Sequence, residues 1–363
     1  MRSAYFLDYK FHSIYFLILY TIIKIGSQYF SAFCSVLCKN LSMRSNKNNK
    51  KIVVIGGGTG VFTVLTGLKP CFDNLTAIVT MADDGGSAGI LREEFGILPP
   101  GDIRRALIAL STTNDRMLAQ LFSYRFEQGL GLTGHTFGNL LITVLERITN
   151  DFEEAVDEAG KILSIKGKVI PVTLGNARLV AELENGQKIV GETNIDIPKH
   201  DGHLKIKKVS LKPAVKINPN AKKAIMEADA VIIGPGDLYT SIIPNLLVGG
   251  MRETLKKTKA KVIYMSNVMT KFGETNDFKA SDFIKTVSDY LGKDVLDYAV
   301  VNNKKPSFKK IASYVKERSD FVEPDADLKK TGKTSVIKAD LLRSGKFIRH
   351  DPKKICSLIK MLV

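Results

Sequence analysis

Glycines and small polar residues recur in six short stretches of this 363-residue chain, in combinations suited to gripping an anion. The first is Gly56-Gly57-Gly58-Thr59-Gly60. Backbone N–H groups beside glycine can approach a phosphate closely, and a helix starting there adds a favourable dipole. The G-x-G-x-x-G fingerprint is not met, because its third glycine would fall at Val61, and that argues against an ordinary NAD site. The second stretch is Asp83-Asp84-Gly85-Gly86-Ser87, followed by Gly89 and Arg92. A carboxylate here suits a ribose hydroxyl, two adjacent carboxylates suit Mg²⁺ against a diphosphate, and Arg92 suits phosphate.

The third stretch runs from Pro99 to Arg104. Asp102 is read either as the N-cap of the following helix or as a ligand contact. Arg104 in a first helical turn opposes the dipole, which points to an anion beside it. The fourth, Gly134-His135-Thr136-Phe137-Gly138-Asn139, places a histidine in a glycine-flanked loop that opens a helix. His135 and Asn139 are therefore candidate ligand contacts, with acid–base work by His135 as one option. The fifth, Gly234-Pro235-Gly236-Asp237-Leu238-Tyr239-Thr240-Ser241, offers the hydroxyls of Tyr239, Thr240 and Ser241 to phosphate or base. The sixth carries Asn267 and Thr270, with Asn267 suited to a base or sugar edge. Metal candidates are Asp83, Asp84 and Asp237, with Mg²⁺ as the cation in question and no cofactor otherwise assigned.

These loops need strands behind them. In a doubly wound sheet, ligands sit outside the carboxyl ends of the strands. Lys51–Ile55 reads as a buried parallel strand that breaks at glycine, Val61–Leu68 as a helix, and Leu75–Met81 as the next strand, forming a βαβ unit. Helices follow over Ile103–Leu110, Asp115–Phe126, Gly138–Ile148 and Phe152–Leu163. Residues 164–217 change character. Strands at Val169–Leu174, Leu179–Leu183 and Lys188–Glu192, with a hairpin turn at Asn185-Gly186, read as a small β-rich insertion. The α/β rhythm then returns, with strands at Ala228–Ile233, Lys261–Ser266 and Val295–Val301 and helices at Asn245–Thr258 and Ser281–Leu291. After Pro306 the pattern is less regular.

The formal charge is +16, concentrated as +6 in residues 1–50 and +9 in residues 301–363. The excess is mostly lysine pairs without interleaved aromatics, which reads as solvated surface and not as a nucleic-acid interface. Cys34, Cys38, Cys71 and Cys356 lack metal-ligand spacing, and their scatter fits a reducing cytoplasm. No Walker A lysine or H-E-x-x-H is present.

Residues 1–50 form an extension unlike the rest. Ile14–Ile23 is continuously apolar but short for a transmembrane helix. Translation starting at Met43 is the favoured reading. A single N-terminal membrane anchor, if residues 1–42 are translated, comes second, and a cleaved signal third. The folded part, 51–351, is read as one nucleotide-binding domain carrying the insertion, with 352–363 as a C-terminal segment.

Together the stretches GGGTG (56–60), ADDGGSAGILR (82–92), PPGDIRRAL (99–107), GHTFGNLL (134–141), IGPGDLYTSIIPNLLV (233–248) and NVMTKFGET (267–275) resemble the gluconeogenesis factor family in order and spacing. The likeness covers about residues 51–351, and it is more distantly similar to the 2-phospho-lactate transferases of deazaflavin cofactor synthesis. It implies a Rossmann-like, doubly wound, mostly parallel sheet with a small β-rich insertion, in a cytoplasmic protein. It also implies binding of a UDP-sugar, typically UDP-N-acetylglucosamine, and a role in cell shape and envelope synthesis on gluconeogenic carbon sources. The expected partners are a regulator of envelope synthesis and further copies of the chain, a homo-oligomer. Arg349-His350 looks like the family's closing pair, with Arg349 expected at the diphosphate. Ala88 and Asp237 depart from the family's usual serines, and Asp237 adds a carboxylate near the expected phosphates. Two functions follow: a ligand-sensing regulator without chemistry, or a Mg²⁺-dependent transferase acting on a nucleotide diphosphate substrate.

Overall fold

A computed structural model describes residues 48–112, 116–325 and 333–363. The readings placed on the N-terminal extension, with its anchor and its alternative start, lie outside these residues. Among the described residues, no helix is long and apolar enough to cross a membrane.

The strands are β1 Asn48–Gly56, β2 Phe72–Val79, β3 Lys168–Pro171, β4 Arg178–Leu183, β5 Lys188–Val190, β6 Ile206–Lys212, β7 Ala230–Ile233, β8 Lys261–Met265, β9 Tyr298–Asn302 and β10 Ser335–Ala339. Seven of them form one parallel sheet in the order β10-β9-β8-β7-β1-β2-β3. β4, β5 and β6 form a separate antiparallel sheet in the order β5-β4-β6. From β1 the chain builds outward to β2 and β3, then returns to the other side of β1 and builds outward again from β7 to β10. The switch point lies between β1 and β7.

β1 sits at the centre because both its faces are apolar. Ile52, Val53, Val54 and Ile55 are all buried, as a parallel strand covered by helices on both faces requires. Its register pairs Ile52 with Ala230 and Ile55 with Ile233 on one side, and Ile55 with Ile78 on the other. The Gly234 N–H then donates to the Ile55 carbonyl at 2.9 Å, extending the β1–β7 ladder one step beyond the strands.

The structure departs from the sequence reading in several places. β3 does not belong to the insertion but is the edge of the main sheet, paired with β2 from Thr76–Lys168 to Val79–Pro171. A short apolar run looks the same in either sheet, so only its partner decides. The expected helix at Asn245–Thr258 is broken into helices at Ile243–Leu246 and Met251–Lys257, and a π-helical turn at Leu238–Ile242 precedes them. Gly250, at φ +93°, interrupts it. The sequence pattern does not reveal the helix at Gly86–Phe95, whose first four residues are small, nor those at Pro219–Met226, Phe308–Tyr314 and Pro352–Leu362.

The C-terminal helix packs on the first helix, Gly58–Leu68. A side chain at Gly67 would collide with the backbone of Pro352. A disulfide joins Cys71 to Cys356 with Cα atoms 6.4 Å apart across 285 residues, which corrects the reading of these two as scattered thiols suited to a reducing compartment.

Because Ile55 is fully buried between two strands and two helical layers, Ile55→Ala should lower stability by roughly 2–5 kcal/mol. Urea unfolding of both proteins would measure this, and a loss below about 1 kcal/mol would contradict the central position assigned to β1.

Candidate functional site

Three helices begin at the carboxyl edge of the sheet and point their N-termini into one space: Gly58–Leu68, Gly86–Phe95 and Gly101–Leu110. Each start is glycine-rich because the backbones crowd. A side chain at Gly60 would strike the Pro235 carbonyl, and one at Gly101 would strike Asp83. The first N–H groups of a helix have no partner within it, so this convergence gathers unsatisfied donors and positive dipole ends. The space is a cavity of about 440 Å³.

Most of the residues singled out from the sequence line this cavity: Gly57 to Gly60, Asp83, Gly85 to Ser87, Asp102, Arg104, Asn139, Gly236, Asp237, Thr240 and Ser241. Some of the donors are already engaged. The Asp102 carboxylate accepts from the Gly58 N–H at 3.0 Å, and Asp83 accepts from the Gly85 N–H at 2.9 Å. Asp102 thus reaches the start of a neighbouring helix, while its own helix is preceded by Pro100 and has no side-chain cap. Arg104 is buried, donating from Nε to Asn139 Oδ1 at 2.9 Å. Asn139 in turn donates to Ser87 Oγ at 3.1 Å, and His135 Nδ1 lies 3.1 Å from the same hydroxyl.

A second recess, of about 230 Å³, opens on the far side of Thr59 and Gly60. Asn267 and Arg349 line it, with Tyr314 and His350. Asn267 Nδ2 donates to the Gly236 carbonyl at 2.8 Å, and its Oδ1 is buried without a partner. Tyr314 Oη accepts from the Ile348 N–H at 3.0 Å, fixing the segment that carries Arg349.

The remaining sequence candidates hold the walls. Gly56 and Gly234 end β1 and β7. Asp84 accepts from the N–H groups of Glu192 at 3.1 Å and Thr193 at 2.8 Å and lies 3.6 Å from Arg178, so its carboxylate is spent on the insertion. Arg92 donates to Asn176 Oδ1 and to the Ala177 carbonyl, tying the same loop to the insertion. Tyr239 is buried, and its N–H donates to Glu274 at 2.8 Å. Thr270 Oγ1 accepts from the Asp320 N–H at 2.8 Å. The three metal candidates separate. Asp84 turns to the insertion, Asp83 turns to its own loop, and Asp237 joins Asp196 and Glu274, with one ligand atom of each within 4.8 Å of the others.

Sequence reasoning missed Arg105, Arg125, Glu192, Thr193 and Asp196, all of which line the cavity. The last three come from a short helix, Glu192–Asp196, that the insertion lowers onto the cleft. Gly191, at φ +99°, makes the turn into it, and that glycine after a hairpin was the available signal.

The cavity is electrostatically divided. Burial raises Asp83 to about 6, helped by the Asp102 charge. Burial raises Glu192 to about 9, with Asp83, Asp196 and Asp84 adding to it. Glu274 is raised to about 8 by burial and then by Asp237. Arg104 is lowered to about 10 by burial and by its neighbours Arg105 and Arg125.

A doubly wound parallel sheet, with helix N-termini and guanidinium groups converging at its switch point, defines an α/β protein of the Rossmann-like class with positive charge gathered at the carboxyl edge of its sheet. The chain belongs to the 2-phospho-L-lactate transferase CofD family, whose profile matches residues 52–342. Over 323 residues it is 45% identical to a gluconeogenesis factor relative of Nostoc sp. strain PCC 7120, covering 88% of this chain and 70% of that one. It is 42% identical to the "Gluconeogenesis factor" of Bacillus subtilis, covering 85% and 96%. A crystal structure of a UPF0052 family member from Bacillus halodurans superposes with a TM-score of 0.82 at 41% identity, covering 86% of this chain and 99% of the other.

Because its carboxyl pKa rises from an ordinary 4.5 to about 9 on folding, Glu192 binds a proton in the folded state that the unfolded chain releases. Its stabilising contribution is complete below about pH 4.5, declines as pH rises and is gone once pH passes about 9. Glu192→Gln carries no such charge and should flatten the fall in Tm between these limits. Thermal melts of both proteins across this range would show it, and parallel pH profiles would exclude the assignment.

Proposed function

We propose that this protein binds a UDP-sugar, with UDP-N-acetylglucosamine as the first candidate, and acts as a gluconeogenesis factor that regulates envelope synthesis and cell shape. The observation that carries the reading is the convergence of three helix N-termini beside Arg104, Arg105 and Arg125. With the Gly58 and Gly85 N–H groups engaged by carboxylates, the first-turn N–H groups of Thr59, Gly60, Gly86 and Ser87, all lining the cavity, are the donors assigned to the diphosphate in this reading. The second recess shares Thr59 and Gly60 with the main cavity, so one extended ligand can lie across both. Asn267, with an unpaired acceptor and an engaged donor, is suited to an N–H of a base, and Arg349 to a phosphate oxygen. The failure of the dinucleotide fingerprint at Val61 supports a UDP-sugar over NAD.

The reading includes a cytoplasmic location and no chemical step. Its alternative is a transferase acting on a nucleotide diphosphate, favoured by the family match and by the trio Asp196, Asp237 and Glu274. These oxygen donors suit Mg²⁺. Two of them are already engaged: Lys271 Nζ lies 3.0 Å from Asp196, and Glu274 accepts from Tyr239 and Thr240. Asp237 also feels the Lys271 charge, so a cation bound here would share the trio with that ammonium while neutralising charge near the phosphates.

Calorimetric titration with UDP-N-acetylglucosamine, with and without Mg²⁺, beside UDP-glucose, GDP and NAD, tests both readings. Saturable binding of an intact UDP-sugar is expected. Gly86→Val, which puts a side chain at the helix start facing the cavity, and Asn267→Ala should each weaken it at least tenfold, or about 1.4 kcal/mol. Absence of UDP-sugar binding would sink the regulator, and Mg²⁺-dependent breakdown of a nucleotide would favour the transferase.

A further inference from the structure

The Cys71–Cys356 bond joins two elements that both serve the cleft. Cys71 lies in the turn after the helix Gly58–Leu68, whose other end supplies Thr59 and Gly60 to both recesses. Cys356 lies in the helix Pro352–Leu362, which begins just past Arg349 and His350 of the second recess. On that helix Ile355, Cys356, Leu358 and Ile359 form the buried stripe, while Lys353, Ser357 and Lys360 face solvent.

Two features separate this bond from a permanent staple. The first is access. Each cysteine keeps 8% of its surface exposed, whereas the flanking Leu68, Phe72, Ile355 and Ile359 keep none. The pair therefore lies at the open edge of the two helices, where a small thiol can reach it. The second is setting. In the cytoplasmic location proposed above, thiols are kept reduced, and a disulfide there is transient or redox-sensing. The inference rests on that part of the reading and not on the identity of the ligand.

We infer that Cys71 and Cys356 are a reversible oxidation site, open to small disulfides and dithiols, that latches the C-terminal helix onto the first helix. One cysteine thiolate attacks a sulfur of a low-molecular-weight disulfide such as oxidised glutathione and displaces one thiolate. The second cysteine thiolate attacks the resulting mixed disulfide, forms the Cys71–Cys356 bond and displaces the other. Two electrons pass from the protein to the small disulfide, and the two protein thiol protons end on the two small thiols. A dithiol reverses the sequence.

Docking and bonding support each other. Packing holds the two Cα atoms 6.4 Å apart, within the span that a disulfide bridges without backbone movement. The thiol pair fits the same backbone, so reduction releases the latch without dismantling the fold. By linkage, whatever loosens the helix disfavours the bond, and whatever breaks the bond loosens the helix. Gly67, where a side chain would collide with the Pro352 backbone, is the place to loosen the helix first.

The test equilibrates the full chain with a series of glutathione ratios at constant pH, then alkylates it and maps its peptides by mass spectrometry, which separates this pair from Cys34 and Cys38. The native protein is expected to pass between thiol and disulfide within the series, with far-UV circular dichroism unchanged. Hydrogen exchange of the peptides covering 344–363 should run about tenfold faster in the reduced form. Cys356→Ser should exchange at the faster rate in oxidising and reducing buffer alike. Gly67→Ala should need a mixture about tenfold more oxidising for half oxidation. A bond that opens only in denaturant, a pair that never oxidises, or equal exchange in the two forms would overturn the inference. If Gly67→Ala misfolds, the parent chain and Cys356→Ser still decide. Failure of UDP-sugar binding in the titration above would leave each of these outcomes as it stands.

Discussion

Where β1 and β7 lie side by side, the loops that leave their carboxyl ends stay in contact, and the cleft opens beside them. Everything else depends on how closely those two loops pass. The Gly60 backbone rests against the Pro235 carbonyl with no room for a side chain, so the first and fifth glycine loops form one wall. Their contact is fixed by the ladder beneath, where four apolar residues of β1 face four of β7. The seven-stranded sheet is in this sense a device for bringing residues 56–60 and 234–241 within contact.

The cleft is a compromise between opposite charges. Three helix N-termini and three guanidinium groups favour an anion, while Asp83, Asp102, Glu192 and Asp237 crowd the same wall. Burying carboxylates together is costly unless they take up protons or gain partners; Glu192, raised to about 9, takes the first course, and Asp83, raised to about 6, gains the Gly85 N–H as a partner. Asp102 takes the second, through the Gly58 N–H and Arg105, 3.7 Å away. These groups set a dielectric and a proton inventory that a bound diphosphate would enter.

Much of this was legible in the residues because loops after strands carry their own punctuation. Gly56–Gly60 and Gly234–Ser241 announce close backbone approach, and the structure puts most of these residues in one cavity. What was not legible was pairing at a distance. Nothing in Lys168–Pro171 distinguishes an edge strand of the main sheet from one of the insertion. Nothing in Asp84 separates a metal ligand from a carboxylate that holds the Glu192 helix. Asp102 fits a capping role by type, yet the helix it caps begins 44 residues earlier. Glu192 and Asp196 reach the cleft only because a separate antiparallel sheet lowers them there. Side-chain type and spacing name the chemistry, while allegiance depends on the tertiary neighbour.

The C-terminal helix, seated on Gly67 of the first helix and joined by its disulfide to Cys71 in the turn that follows, has a bearing on how the protein is made. A ribosome delivers the chain from its N-terminus, so β1 emerges long before its neighbour β7, and the first helix emerges long before the last. Half of the cleft wall is therefore present while its opposite bank is still being synthesised, and the back of the helix that holds that wall stays bare until Pro352–Leu362 arrives. An early-terminated product would keep every glycine loop and lack only this cover. The helix Pro352–Leu362 thus covers the back of the helix whose other end lines the cavity.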